Sequence, residues 1–450
     1  MVGLQHKHLI PFWVSILVSG VFLLLVYLLG YCTQQSEFVK IGLLYFSLFA
    51  LLLFLIKFSI INRNINSFIL LGILARAMLL FSYPNLSDDY LRFIWDGQLS
   101  LHNINPFGFL PSEIIERVSA FMPSDSAQLA LSKNYYSVYP PVLQGIFALA
   151  VWVSAGSSFW AIVIMKCFIL LFEILSIFLI IRILKLIQLP TAHVLWYALN
   201  PLPIIEYSGN LHFEAAMICF LLASIYVLMS HRLLLAAFFF SLAISSKILP
   251  LMFLPFLWRR IGTKNWFLFI TIAFSLCIIW FIPFLGHLSF NHLMYSLGLY
   301  FNHFEFNASI YYVFRWVELT IFGFYDPATT GFGLSLLVLI SILYFVIRDK
   351  RTTLSSLFPA LLFSYICYYL LASTVNPWYL GPIIIFSLFT QYKVWLIWPV
   401  LAVLSYHAFY FPDYKELSWM LWIEYTPIYL LVILTFLKNK TDEPQSLAAS

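Results

Sequence analysis

Apolar runs about as long as a bilayer is thick recur from Ile10 almost to Leu437. No other feature limits the fold of this chain as strongly. A helix of about 20 apolar residues crosses the hydrocarbon core. Between such runs there is no room for a separate soluble domain. Only 10% of the residues are charged and 62% are hydrophobic, with a mean hydropathy of +0.93, where soluble domains carry about 25% charged residues. The expected fold class is therefore an all-α polytopic membrane protein. Residues 1–437 read as one transmembrane domain with one sizeable loop at 84–138, followed by a short polar, disordered tail at 438–450. The first run, "IPFWVSILVSGVFLLLVYLLGY", is too long for a cleavable signal and lacks a small-residue cleavage site. The five cysteines are scattered without a CxxC pair, which argues against a disulfide framework or a thiolate metal site.

Spans fall near 11–31, 39–60, 66–83, 159–186, 190–207, 212–230, 265–285, 330–347, 353–372, 377–391, 393–410 and 419–437. Residues 233–258 read as two short arms meeting at "SSKILP", because Pro250 weakens a continuous helix. Broken helices at membrane depth occur where they line a protein cavity. The total is fourteen spans, two of them short. The parity requires that 139–156 and 308–323 dip into the membrane without crossing it.

With a cytoplasmic N-terminus, fifteen of the twenty-four basic residues fall on the cytoplasmic side, among them Arg182, Arg232, Arg259, Arg260, Arg348 and Lys440. That is the usual orienting bias. The acids fall on the opposite side: Asp88, Asp89, Asp96, Glu113, Glu116, Asp125, Glu206, Glu214 and Glu305. Orientation signals do not explain an acidic cluster, so chemistry is sought at the outer face.

The richest stretch there is "SDDYLRFIWDGQLSLHNINPF", residues 87–107. Its spacing predicts an amphipathic interfacial helix running to Leu101, with Asp89, Arg92 and Asp96 on one face, turned toward a water-accessible groove. Ionisable residues at this depth are functional candidates. Adjacent carboxylates repel, which moves one toward neutral pH and suits a general base. Acids also favour a helix N-terminus, so spacing alone leaves both readings open.

Other outer-face pieces converge on the same side. "YPPVLQG" starts a helix after Tyr139; "NPLPIIEYSGNLHFEA" presents Glu206, Asn210, His212 and Glu214; Lys247 sits at the apex of the short pair; "STVNPWYLGP" carries Asn376, Trp378 and Tyr379. His287, His292 and His303 with Glu305 match no familiar zinc spacing. Lys166 and Glu173, seven apart within one span, read as a buried pair lining a groove.

These motifs, in order from about 83 to 382, resemble the GT-C superfamily of glycosyltransferases. They are most similar to the bacterial polyprenol-phosphate-mannose-dependent mannosyltransferases. The departures are His102-Asn103 where a glycine is usual, Glu214 where aspartate is common, and Asn376 where a histidine precedes P-W-Y. The resemblance implies a bundle of about 12–14 helices, with 84–138 as the catalytic outer loop. It implies a hexosyltransferase moving a sugar, mannose by the branch, from a polyprenyl-phosphate donor to a glycan or lipid acceptor hydroxyl. Asp88 or Asp89 would be the base, Asp88 the first choice, with the other orienting the acceptor or a divalent cation. No cofactor or metal is required by the sequence. Arg92, Lys247 and Arg315 would steady the phosphate. Asp96, Asn105, Tyr139, Asn210, His212, Glu214, Asn376, Trp378 and Tyr379 would line the substrate site. Membrane lipids are the expected surroundings, and no nucleic-acid partner is expected. The implied location is the bacterial inner membrane, with both termini cytoplasmic and the site on the far side. Two alternatives remain at this level. One is a transporter or flippase of lipid-linked saccharides, for which the broken 233–258 segment speaks and the absence of an internal repeat speaks against. The other is a polymerase or ligase of lipid-linked saccharides.

The charge map predicts labelling. In a cysteine-free background, Ser119→Cys is expected to react with an impermeant maleimide in intact cells, and Thr352→Cys only after permeabilisation. The reverse pattern would overturn the orientation.

Overall fold

The computed structural model describes residues 11–62, 64–123, 134–285 and 304–442, together with 291, 292, 294, 295 and 298. Among the described residues, every extended regular element is a helix; an isolated bridge joins Phe306 and Thr374. Seven helices are long and apolar enough to cross a membrane, or eight if a bent pair counts as one span. The protein is an integral membrane protein of the all-α class. One contiguous hydrophobic core runs from Phe22 to Ile428.

Several spans drawn from hydropathy are not continuous helices. Residues 190–207 become the short turns Thr191–Val194 and Leu195–Ala198, then a π-helix at Pro203–Gly209. That π-helix meets Glu214–Met229 at 112°. Residues 393–410 are likewise a chain of short turns. Hydropathy reports what the bilayer or core tolerates and says nothing about whether one helix fills the length. The segments expected to dip form Pro141–Val153 and Ile310–Phe322. Each has 13 residues, about 20 Å of helix and short of the hydrocarbon thickness. The 233–258 pair breaks where expected, between Leu233–Ile244 and a turn beginning at Leu249. Of the polar tail, residues up to Asp442 continue the last helix, Ser418–Asp442, and 443–450 lie outside the described residues.

The interior carries charge, and its pairing corrects one expectation. Glu173 does not meet Lys166. Its Oε2 accepts from Arg76 Nε at 2.6 Å, and its Oε1 accepts from the Tyr197 hydroxyl. Arg76 also donates to the carbonyls of Ala198 (2.6 Å), Gly72 (3.0 Å) and Tyr197 (3.2 Å). Lys166 instead donates to the carbonyls of Ser82 (2.6 Å) and Leu79 (3.0 Å) and to Ser82 Oγ (2.8 Å), at the end of the third helix. Lys166 and Glu173 are seven residues apart on one helix, nearly two turns, and each finds a nearer partner along the third helix, Glu173 at Arg76 and Lys166 at the helix end.

The helix after the Asp pair runs Asp89–Leu101. Asp88 sits at its N-cap position and Asp89 in its first turn, where a negative charge is favoured. It ends at His102, followed by Asn103 at φ +55°, a residue type that tolerates that geometry. Leu91, Trp95 and Leu99 pack on Ile114 and Val118 of the loop helix Pro111–Val118. On the other side Phe93 stacks on Phe147 at 4.6 Å. Gly97 permits this approach, because a Cβ there would stand 2.7 Å from the Phe147 carbonyl oxygen. The helix is thus covered on both flanks instead of lying free at the interface.

Breaking the interior ion pair by one partner leaves a buried charge, at a cost of about 3–5 kcal/mol. Arg76→Met alone is expected to lower the melting temperature in detergent strongly, and Arg76→Met with Glu173→Leu to recover most of it. A double variant no better than the single one would contradict this account.

Candidate active site

A cavity of about 620 Å³ opens among the elements that carry the polar motifs of the sequence. One part of its wall is polar and comes from four separate segments: Asp89, the pair His212 and Glu214, Lys247, and the pair Trp378 and Tyr379. Ser137 and Tyr139 adjoin them. Most of the rest is hydrocarbon and aromatic, among it Phe93, Phe107, Met252, Phe281, Leu339 and Ile342, with a few serines and Thr374 between.

Of the two aspartates, Asp89 is on this wall and Asp88 is not. Asp88 is exposed at the helix start. Asp89 keeps 39% side-chain exposure because it faces the cavity, yet protein surrounds it closely enough to strip much of its hydration. That desolvation comes first in raising its pKa to about 7, and the negative charges of Asp88 and Glu214 add to it. Lys247 acts in the opposite direction. The Asp89 backbone amide is met by Ser87 Oγ at 3.3 Å.

Lys247 is held on two sides. Its ammonium pairs with Glu214 Oε1 and lies 4.0 Å from the centre of the Tyr379 ring, a favourable cation–π position. Trp378 stacks on His212 with ring centres 3.8 Å apart and planes 11° from parallel. Each of these side chains is fixed before any ligand arrives.

The turn bearing His212 is over-determined. Glu206 is fully buried, and its carboxylate accepts from the hydroxyls of Tyr45 and Tyr406 (the latter at 2.8 Å) and from Asn210 Nδ2 at 3.2 Å. Asn210 Oδ1 in turn accepts from the Leu86 amide at 3.2 Å, which ties this turn to the run-up to the Asp pair. Leu211 stands at φ +67°, a cost of roughly 1–2 kcal/mol for a side chain with a Cβ. Backbone bonds to Ile205, Tyr207 and Glu206 hold the turn there. Strain of this kind persists only where the surroundings dictate it.

Other predicted residues are placed elsewhere. Arg92 and Asp96 are buried and pair with each other at 2.8 Å. Arg92 also donates to the Tyr135 carbonyl at 2.8 Å; Asp96 accepts from Ser137 Oγ (2.5 Å) and Gln144 Nε2 (2.9 Å). The polar stripe therefore clamps the 135–144 segment, which supplies Tyr139 to the cavity, and only Asp89 of that stripe reaches the cavity wall. Asn105 bonds the Phe284 carbonyl at 2.5 Å and lines a separate cavity of about 180 Å³. Asn376 caps the turn that carries Trp378 and Tyr379, its carbonyl accepting from the Tyr379 amide at 3.0 Å. Arg315 is exposed and pairs with Glu305 at 2.5 Å, away from the cavity wall.

Ser137, Gln144 and Asn307 carry structure that the motifs did not single out. Gln144 had a signal, a lone amide in an apolar helix. Asn307 had none. Its backbone amide donates to Glu416 Oε1 at 2.6 Å, its carbonyl accepts from Tyr425 at 2.5 Å, and its side chain donates to the Val375 carbonyl and to Glu424, each at 3.2 Å. It thereby pins residues 373–375 just before Trp378. Among the described residues no three His, Cys, Asp or Glu side chains converge as a metal's ligands. His292 stacks on Tyr136, while His287, His303 and Asp125 lie outside the described residues.

Compared with known proteins, residues 13–261 match the sequence model of the alpha-(1→6)-mannopyranosyltransferase family, N-terminal domain. No curated protein and no solved structure matches. The matched region covers more than half of the chain and includes Asp89, His212, Glu214 and Lys247. The chain belongs to this family of α-mannosyltransferases.

The Asp89 carboxyl is expected to titrate with a midpoint near 7 in infrared difference spectra against Asp89→Asn. Glu214→Gln removes a charge that raises the value and frees Lys247, so the midpoint should fall. A midpoint in the ordinary carboxylate range for the unaltered protein would refute the electrostatic account.

Proposed function

From this family membership we propose that the protein transfers mannose from a polyprenyl-phosphate carrier to a hydroxyl of a glycan or lipid acceptor. The reaction is assigned to the outer face of a bacterial inner membrane, with both termini in the cytoplasm. The observation that carries the donor class is the cavity itself, in which a charged pocket continues into a hydrocarbon-lined slot. A soluble nucleotide sugar has no use for such a slot. A phosphate with a sugar on one side and an isoprenoid chain on the other uses both parts.

Asp89 is the proposed base. The acceptor oxygen attacks the anomeric carbon, its proton passes to Asp89, and the bond from that carbon to the phosphate oxygen breaks with its electron pair leaving on the phosphate. A positioned base contributes about a hundred- to ten-thousandfold. Lys247 is the proposed partner of the departing phosphate, where a fixed cation stabilises developing charge. Glu214 and the Tyr379 ring hold that cation in place beforehand, so little reorganisation remains at the moment of reaction.

In membranes supplied with radiolabelled polyprenyl-phosphate mannose, Asp89→Asn is expected to lose at least a hundredfold in transfer while still binding donor. Asp88→Asn is expected to lose less. Full activity in both would discard the assignment. Lys247→Ala should raise the donor KM and lower kcat, in contrast to the exposed Lys415→Ala; equal effects would remove Lys247 from the leaving-group role.

The pH dependence has a definite sign. A raised pKa leaves Asp89 protonated below about 7 and able to accept a proton above it. kcat/KM should therefore rise with pH through about 7 and level off, and the limb should shift to lower pH in Glu214→Gln. A flat profile from 5 to 8 would exclude Asp89 as the base.

A further inference from the structure

His212 is 2% exposed and lines the cavity. Its Nδ1 lies 2.8 Å from the backbone carbonyl oxygen of Glu206. A carbonyl only accepts, so Nδ1 carries the hydrogen, and the Nε2 of a neutral ring is left with a lone pair. That Nε2 is buried and has no hydrogen-bond partner. Asp89 Oδ2 lies 3.8 Å away, beyond hydrogen-bond reach. The ring cannot turn to find a donor, because it stacks on Trp378 and is bonded at its other nitrogen.

A buried acceptor without a donor is costly, and here it is fixed beside the proposed base. We infer that Nε2 of His212 is a recognition point for a sugar hydroxyl, accepting a hydrogen bond from a hydroxyl next to the reacting centre. The inference rests on the transferase reading above and adds to it the chemistry that selects the substrate. A hydroxyl bound at a normal distance from Nε2 sits within one sugar ring of Asp89. The donor mannose and the acceptor sugar both offer hydroxyls, and the atom recognised is the same in kind.

The arrangement discriminates. A substrate lacking that hydroxyl leaves Nε2 unpaired inside the complex, whereas a substrate carrying it satisfies the lone pair once the groups covering Nε2 yield to it. The fixed tautomer also means that the site selects a donor group; a substituent that can only accept, such as an ether or a fluorine, repels it.

The test uses the full-length protein in proteoliposomes. Polyprenyl-phosphate mannose and its monodeoxy forms are compared with an alkyl mannoside acceptor and its monodeoxy forms. In the unaltered protein one position is expected to cost about ten- to a hundredfold in kcat/KM. His212→Phe keeps the stack on Trp378 and removes the acceptor. It should lose a similar factor with the full substrate and show no further penalty at that one deoxy position, the mark of a direct contact. His212→Gln, which can both donate to the Glu206 carbonyl and offer an oxygen, should keep part of the penalty. Sensitivity in the donor series assigns the hydroxyl to the donor, and sensitivity in the acceptor series assigns it to the acceptor. If no deoxy position is penalised, or if His212→Phe retains the whole penalty, the inference is overturned. Robust transfer by the unaltered protein would leave the transferase reading standing in either case.

Discussion

The carboxylate of Glu206 holds the cavity-bearing part of the molecule together. It is sealed from water, and an ionisable group in that setting persists only when the protein satisfies it. Tyr45 from the second helix, Tyr406 from the far end of the chain and Asn210 from its own turn all donate to it. Its backbone carbonyl fixes the His212 ring, and Asn210 passes the constraint on to Leu86. Three regions distant in sequence are thereby locked to the turn that faces Asp89. The left-handed Leu211 is affordable only inside this frame.

A second anchor works from the C-terminal side. Asn307 joins Glu416, Glu424 and Tyr425 on one hand and Val375 on the other. The bridge from Phe306 to Thr374 runs alongside. The loop that presents Trp378 and Tyr379 is thus held by the last helix, well outside the region that carries the family match. The site is assembled from both halves of the chain.

Much of this was legible in the residues. The charge cluster at 87–107 supplies Asp89 to the cavity wall, the helix ends at Leu101 as its pattern predicts, and the break near Lys247 followed from Pro250. What the pattern could not tell was which surface would be covered. Periodicity put Asp89, Arg92 and Asp96 on one stripe, but the flanking segment at 135–144 covers all but the first of them. Lys166 and Glu173 illustrate the same limit: each satisfies its charge through tertiary neighbours that spacing along one helix cannot reveal. Hydropathy likewise marked 190–207 and 393–410 as apolar, correctly, without revealing that short turns fill them. The preference between Asp88 and Asp89 is a difference of one residue at a helix start, about 100° of rotation, and only the placement of the neighbouring loops separates an exposed carboxylate from one facing the cavity.

On the proposal that the donor is a lipid-linked sugar, the hydrocarbon part of the cavity wall changes what concentration means for this protein. A lipid that partitions into such a slot comes from the surrounding bilayer, so occupancy follows its mole fraction among the other lipids and not its amount per litre. Adding detergent or inert phospholipid thins the supply without inhibiting anything, and two preparations with the same total substrate can turn over at different rates. Kinetic constants for a protein built this way are properties of a two-dimensional solvent.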